Sequence, residues 1–225
     1  MQGDTSALLR GLYDALYAAY GPQGWWPGET PTEVAIGAIL VQNTNWQNVE
    51  KAIARLREAG MLEWRALDAV PAEDLAELIR PAGYYQVKAR RLKNLVRWVC
   101  GEHGGELEEL RRSARSTDAL REELLGINGI GPETADSILL YALEQATFVV
   151  DTYTARVAGR HGLIGPEAVD YGELKALFED HLPREIELFK EYHALLVAVG
   201  KRHCRPQARC AGCPLECFPR SMSVE

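Results

Sequence analysis

Apolar residues recur along most of this chain at three- and four-residue intervals, the spacing of one helix face. Near the start, Leu8, Leu9, Leu12, Tyr13, Leu16 and Tyr17 follow it, with Asp4 ahead of them and Arg10 and Asp14 between them. That spacing predicts an amphipathic helix and is unlike a secretory signal. Thr30-Pro31-Thr32-Glu33 reads as a capping box with proline at the first helical position, opening a helix through Val34, Ile36, Ile39 and Leu40. Asp170 to Glu173 repeats that start before Leu174, Leu177 and Phe178. Pro71, Ala82-Gly83, Gly104-Gly105 and Gly165-Pro166 punctuate the rest. Nowhere does apolar/polar alternation run on between hairpin turns, so no sheet is predicted. The pattern describes an all-α protein of roughly ten helices joined by short loops.

Composition adds limits. At 225 residues, 47% apolar and 25% charged, the chain is globular, neither disordered nor collagen-like, and long enough for one or two domains. Its longest uncharged apolar-rich stretch, Val34 to Val49, is broken by Gln42, Asn43, Asn45 and Gln47 and falls short of a bilayer span. A cytoplasmic protein without disulfides is expected. Lys plus Arg number 25 against 32 Asp plus Glu, and the net charge of −7 argues against non-specific binding of polyanions. The charge is unevenly placed, however. Lys88, Arg90, Arg91, Lys93 and Arg97 lie in one stretch without an acid, and Lys201, Arg202, Arg205, Arg209 and Arg220 flank the terminal cysteines. Acids dominate elsewhere, as from Glu102 to Glu109. Basic strips on an acidic body suit a polyanion met on one face, although a solvated helix surface gives the same pattern.

Three motifs carry chemistry. Cys204-x5-Cys210-x2-Cys213-x3-Cys217 packs four thiols into fourteen residues, a tetradentate set suited to a [4Fe–4S] cluster or to structural zinc. Cys100, beside Trp98 and Val99, reads as a core residue. The second motif is Leu125-Gly126-Ile127-Asn128-Gly129-Ile130-Gly131-Pro132-Glu133-Thr134-Ala135. Its glycines let backbone approach a partner closely, and Pro132 opens a helix whose free N–H groups could hold a phosphate oxygen. Flanked by helices, it is a helix–hairpin–helix candidate, a device that anchors phosphate without reading sequence. In the third, Asp151 follows the apolar Val149-Val150 and precedes the helical pattern of Ala155, Val157 and Ala158. A helix N-cap and a catalytic carboxylate are both consistent with it, since N–H groups at a helix start orient a carboxylate and keep it ionised.

Taken together, Gly129-Ile130-Gly131 with Thr134-Ala135, Asp151 sixteen residues after Ala135, and the terminal four-cysteine cluster resemble the endonuclease III branch of the helix–hairpin–helix DNA glycosylases. The resemblance runs from about Pro31 to Cys217. It includes Leu40-Val41-Gln42-Asn43-Thr44 and Gly83-Tyr84-Tyr85-Gln86-Val87-Lys88-Ala89, which match loops the family inserts into DNA. It implies that Asp151 is catalytic, that Gln42 plugs the gap left by an extruded nucleotide, and that Tyr84 is an intercalating wedge. It further implies that Gly129 and Gly131 form the hairpin, with Thr134, Lys88 and Arg91 joining them on DNA, and that the four cysteines hold a [4Fe–4S] cluster. The first and last cysteine gaps are shorter than in the usual endonuclease III pattern.

A second departure has chemical consequences. Members that also cut the strand carry a Schiff-base lysine two residues after the hairpin's second glycine, where this chain has Glu133. A carboxylate forms no imine, so lyase activity at this position is not expected. Trp25-Trp26-Pro27, together with Leu40 to Thr44 and Arg80 to Tyr85, is similar to the 3-methyladenine glycosylases of the superfamily, which are also monofunctional. Trp25 and Trp26 would line a pocket for an electron-poor alkylated purine. The fold implied is all-α with two helical domains. One is a six-helix barrel over residues 29–145, and the other, residues 1–28 and 146–225, carries the cluster, with a DNA-binding groove between them. The implied partner is double-stranded DNA containing a damaged base, bound by a monomer in the cytoplasm at the nucleoid. The alternatives are a bifunctional oxidised-pyrimidine glycosylase and abasic-site lyase, or a catalytically weak lesion-binding module.

Overall fold

The structure, a computed structural model, describes residues 2–165 and 170–219; Pro166 and Arg220, singled out above, lie outside them. Among the described residues the regular structure is helical, with no strand. The chain forms two compact units, residues 26–145 and residues 1–25 together with 146–225.

The unit of residues 26–145 holds α2 (Pro31–Leu40), α3 (Trp46–Glu58), α4 (Trp64–Ala69), α5 (Ala72–Leu78), a 3₁₀ turn (Arg80–Ala82), α6 (Tyr85–Glu102), α7 (Leu107–Arg112), α8 (Thr117–Gly126) and α9 (Pro132–Ser137), which runs on into a π-helical stretch (Ile138–Ala142). Its centre is α2, buried from Thr32 to Leu40 and packed against α3, α6, α7, α9 and the π-helical stretch. A helix enclosed on all sides can be apolar all round, as this one is beyond Glu33. Thr30 caps it as the sequence predicts, its Oγ1 accepting from Glu33 N at 3.2 Å. The reciprocal arm of the box reaches one residue further back, Glu33 Oε2 accepting from Glu29 N at 2.7 Å. Glu33 is buried, and its charge is matched by Arg57 of α3. A second buried carboxylate, Asp136 on α9, receives Arg121 Nε at 2.8 Å and Arg121 Nη2 at 3.2 Å from α8. This two-pronged bond ties the helices on either side of the Gly129–Gly131 turn to each other.

The other unit is built from α1 (Gln2–Tyr20), α10 (Thr152–Arg160), α11 (Tyr171–His181) and α12 (Ile186–Arg202). Leu9, Leu12 and Leu16 of α1 share its core with Phe148, Phe178, Phe189 and Tyr192. The Phe148 and Phe178 rings stack at 4.2 Å, and the buried Tyr192 hydroxyl donates to Leu9 O at 2.7 Å. Asp170 caps α11, accepting from Gly172 N at 2.7 Å. No helix among the described residues is long and apolar enough to cross a membrane.

Candidate active site and thiolate cluster

Phe148, Val149 and Val150 are buried without belonging to a strand, so their backbone needs other partners. Side chains of α11 supply them. Phe148 N donates to Glu179 Oε1 at 2.7 Å, and Val150 N donates to Tyr171 Oη at 3.3 Å. The pinned segment delivers Asp151 to the N-cap of α10, where its Oδ1 accepts from Thr154 N at 2.7 Å and Thr154 Oγ1 at 2.9 Å. Its other oxygen, Oδ2, lies 3.7 Å from His193 Nε2 on α12, and the two side chains are only 11% and 6% exposed. Burial pushes the Asp151 carboxyl up, but bonding and charge attraction from His193, with the two Thr154 donors, outweigh it and hold the group below its ordinary value. The result is an oriented, poorly solvated carboxylate. His193 escaped the sequence reading because it sits among the buried Tyr192 to Val199 of α12. A titratable ring inside an apolar run was the available signal.

In the unit of residues 26–145, Gly129 takes φ +97°, and a Cβ there would meet Arg91 Cγ at 2.3 Å. Glycine is required by both the backbone and the arginine stem packed over it. Gln42 Nε2 donates to Gly129 O at 3.2 Å and to Thr134 Oγ1 at 2.9 Å, while its Oε1 accepts from Arg91. The structure therefore joins Gln42, Arg91, Gly129 and Thr134, which are far apart in sequence, into one polar network. Gly131 is the N-cap of α9, and Glu133 is exposed in its first turn. Tyr84 is the N-cap of α6 in the left-handed region, φ 47° and ψ 30°, and is 72% exposed. A non-glycine residue held there costs about 1–3 kcal/mol, strain of the kind that clusters at binding sites.

The basic strip of α6 departs from expectation. Lys88, expected on DNA, is 1% exposed, and its ammonium donates to Leu40 O at 2.8 Å and Ala82 O at 2.7 Å. It points into the fold because it shares the helix face of Leu92, Leu95 and Val99. Burial, and more weakly the charge of Arg91, lowers its pKa to about 8. Lys93 caps the end of α4, donating to Leu67 O at 2.8 Å, Asp68 O at 2.7 Å and Val70 O at 2.9 Å. Arg90, Arg91 and Arg97 line a groove with Lys93, Asn128 and Gly129.

Trp26 meets Trp46 edge-to-face at 5.2 Å and Tyr141 at 5.3 Å. With Trp46, Glu29, Glu33 and Glu50 it lines a cavity of about 190 Å³. Trp46 is the aromatic partner that the sequence reading missed. Trp25 belongs to the other unit, where Lys201 Nζ stands 5.4 Å over its ring. Cys100, expected in the core, is only half-buried at the end of α6.

Cys204, Cys210 and Cys213 line one cavity of about 80 Å³ with Arg160, His161 and Leu215, whereas Cys217 is exposed. Arg160 Nη1 donates to Cys204 Sγ at 3.1 Å, and Arg156 Nη1 to Cys204 O at 2.8 Å. No three described cysteine sulfurs lie within 4.8 Å of one another. The described cysteines are thus not drawn together as a single ion would hold them.

A family model of HhH-GPD superfamily base excision DNA repair proteins matches residues 36–184. A protein of Methanocaldococcus jannaschii, provisionally named a DNA repair glycosylase, is 48% identical over 218 residues, covering 97% of this chain and 98% of its own. Among solved structures, a trapped covalent intermediate of endonuclease III with DNA superposes with a TM-score of 0.78 at 25% identity, over 93% of each chain. The Helicobacter pylori 3-methyladenine DNA glycosylase bound to 1,N6-ethenoadenine gives 0.73 at 27% identity, over 88% of this chain and 97% of that one. With more than half of its length inside the family match, the chain belongs to the HhH-GPD superfamily of base excision DNA repair proteins, among the endonuclease III-like DNA glycosylases.

Proposed function

We propose that this protein is a monofunctional DNA glycosylase that acts as a monomer on duplex DNA, flips out an alkylated purine and hydrolyses its N-glycosidic bond. The observation that carries the reading is Asp151, a poorly solvated carboxylate that Thr154 and His193 hold in its charged form. As the base departs, the sugar becomes oxocarbenium-like, and a fixed negative charge in a poorly solvated place stabilises that cation or orients the attacking water. An alkylated purine already carries positive charge, so it leaves without a strong general acid. Glu133 stands where the resemblance puts the lyase lysine, and with no amine there release should end at an intact abasic strand.

The remaining residues bind and orient. Gly129, Gly131 and Thr134 would anchor one phosphate, Gln42 would fill the vacated space and Tyr84 would enter the base stack. Arg90, Arg91 and Arg97 supply local positive charge that a net −7 does not cancel at the contact. Trp26 offers an aromatic face to an electron-poor base, in a cavity that Glu50 lines together with Arg57 and its partner Glu29. The solved 3-methyladenine glycosylase relative supports the purine assignment. Cys204, Cys210, Cys213 and Cys217 would hold a [4Fe–4S] cluster, which when bound would tie the loop bearing the exposed Arg205 and Arg209. In this division of labour residues 29–145 open the duplex, while residues 1–28 and 146–225 carry Asp151 and the cluster. The enzyme would work in the cytoplasm, at the nucleoid.

Duplexes each carrying one lesion, incubated with and without borohydride, test the whole reading. Base release from an alkylated-purine duplex without a covalent adduct is the expected result. An adduct with strand cleavage would establish the lyase instead, and tight binding without release would establish a lesion-binding module.

A further inference from the structure

Gln42 and Tyr84 lie on separate loops, yet the two loops share one internal support. Leu40 ends α2 two residues before Gln42, and Ala82 ends the 3₁₀ turn two residues before Tyr84. Both carbonyls are bonded by the same ammonium, that of Lys88, at 2.8 Å and 2.7 Å. Immediately beyond these roots the backbone turns left-handed on both loops, at Asn43 (φ 54°), Gly83 (φ 68°) and Tyr84 (φ 47°). Such turns persist only where the surroundings over-determine them. One helical turn further along α6, Arg91 bonds Gln42 Oε1 and packs over Gly129, extending the support to the hairpin.

We propose that Lys88 is a positioning residue that fixes the roots of the Gln42 and Tyr84 loops to each other, so that plug and wedge meet the duplex as one preset device. An ammonium with three donors can serve two carbonyls from different elements at once, which an apolar side chain or a single backbone N–H cannot. The ammonium is also sheltered from DNA by its own burial, so it acts through the loops rather than on phosphate. This inference rests on the reading of Gln42 and Tyr84 as the residues that enter the stack.

A mutant cycle on the full-length protein tests it, with dissociation constants measured for an undamaged duplex and for one carrying a tetrahydrofuran abasic analogue. In the otherwise native chain, Lys88→Met should weaken binding to the abasic duplex about tenfold. In a chain already carrying Gln42→Ala and Tyr84→Ala, the same change should cost less than about twofold, because the device it sets is gone. Binding to the undamaged duplex, held by the hairpin, should move less than about twofold in either background. Equal losses in both backgrounds, or on both duplexes, would show a general structural role and overturn the proposal while leaving the loop reading intact. If Gln42→Ala/Tyr84→Ala itself left abasic-duplex binding unchanged, the loop reading would fail and this inference with it. Should Lys88→Met prove insoluble, Lys88→Gln enters the same cycle, its shorter amide losing at least one of the two carbonyls.

Discussion

Replacing Asp151 by asparagine and by alanine separates the two roles that its position combines. Asparagine keeps an acceptor oxygen for Thr154 N and Oγ1, now bonded at 2.7 Å and 2.9 Å, and is as good an N-cap as aspartate. The loss from capping should therefore stay within a few tenths of a kcal/mol, or about 1 °C in Tm for a chain of this size, and any further loss measures the charge attraction to His193. Alanine removes the cap, at a cost of about 1 kcal/mol and roughly 2–4 °C. Catalysis should respond in the opposite proportion. A carboxylate about 4 Å from a developing positive charge is worth about 4 kcal/mol at an effective dielectric of about 20, and about 1 kcal/mol in water. With 11% of the side chain exposed, Asp151 belongs nearer the first limit, which puts the loss on Asp151→Asn at about a hundredfold or more. Single-turnover release of an alkylated purine, with thermal unfolding of the same samples, gives both quantities, and duplex binding should survive. An Asp151→Asn enzyme within about tenfold of the native rate would reduce Asp151 to a helix cap and remove the central support of the proposed mechanism.

The other predictions use different observables. Purified protein should be brown and contain about four iron and four sulfide per chain, and Cys213→Ser should be colourless or insoluble; stoichiometric zinc without sulfide would overturn the cluster. Tyr84→Ala and Gln42→Ala should weaken binding to lesion duplexes far more than to single strands, where no stack has been vacated; equal losses would make them backbone contacts. Because the folded Asp151 carboxyl titrates below its ordinary range, its stabilising contribution is present above the unfolded carboxyl range and is lost only as pH falls through the lower folded value. The acidic limb of base release set by Asp151 should accordingly lie below about pH 4, and His193→Leu, which leaves burial opposed by Thr154 alone, should move that limb upward. A limb that does not move would show that His193 does not hold the charge. Glu133→Lys places an amine at the lyase position and should introduce weak borohydride-trappable cleavage, absent from the native enzyme.

What could be read from the sequence depended on whether the signal was local. Thr30 and Asp170 are helix caps in the structure because capping is decided within four residues, and Asp151 carried its cap in the same way. The Gly129 turn was legible because a glycine requirement is a property of the backbone itself. His193 was not, since nothing near it in sequence says that α12 brings it to 3.7 Å from a carboxylate forty-two residues earlier. Trp46 was missed for the same reason, its partner Trp26 lying on the far side of α2 in the chain.

The basic strip is the instructive failure, because its charge was visible and its direction was also available. Lys88 precedes Leu92 by four residues, Leu95 by seven and Val99 by eleven, the stripe from which the apolar face of α6 is read. A cation on that stripe either contradicts the helix or is paired inside it, and burying an ammonium is tolerable only when oxygen atoms meet it. The helix stands, so the oxygens had to exist; what the sequence lacked was their address, since Leu40 is forty-eight residues away. Lys93 is spent in the same way on the end of α4. Two of the five cations from Lys88 to Arg97 thus hold the fold together; Lys93 lines the same groove as Arg90, Arg91 and Arg97, but its ammonium is bound to the carbonyls at the end of α4. A salt slope of binding that falls by about one per arginine removed, and hardly at all for Lys93→Met, is the consequence in solution. An equal fall for Lys93→Met would mean that its ammonium leaves those carbonyls for DNA.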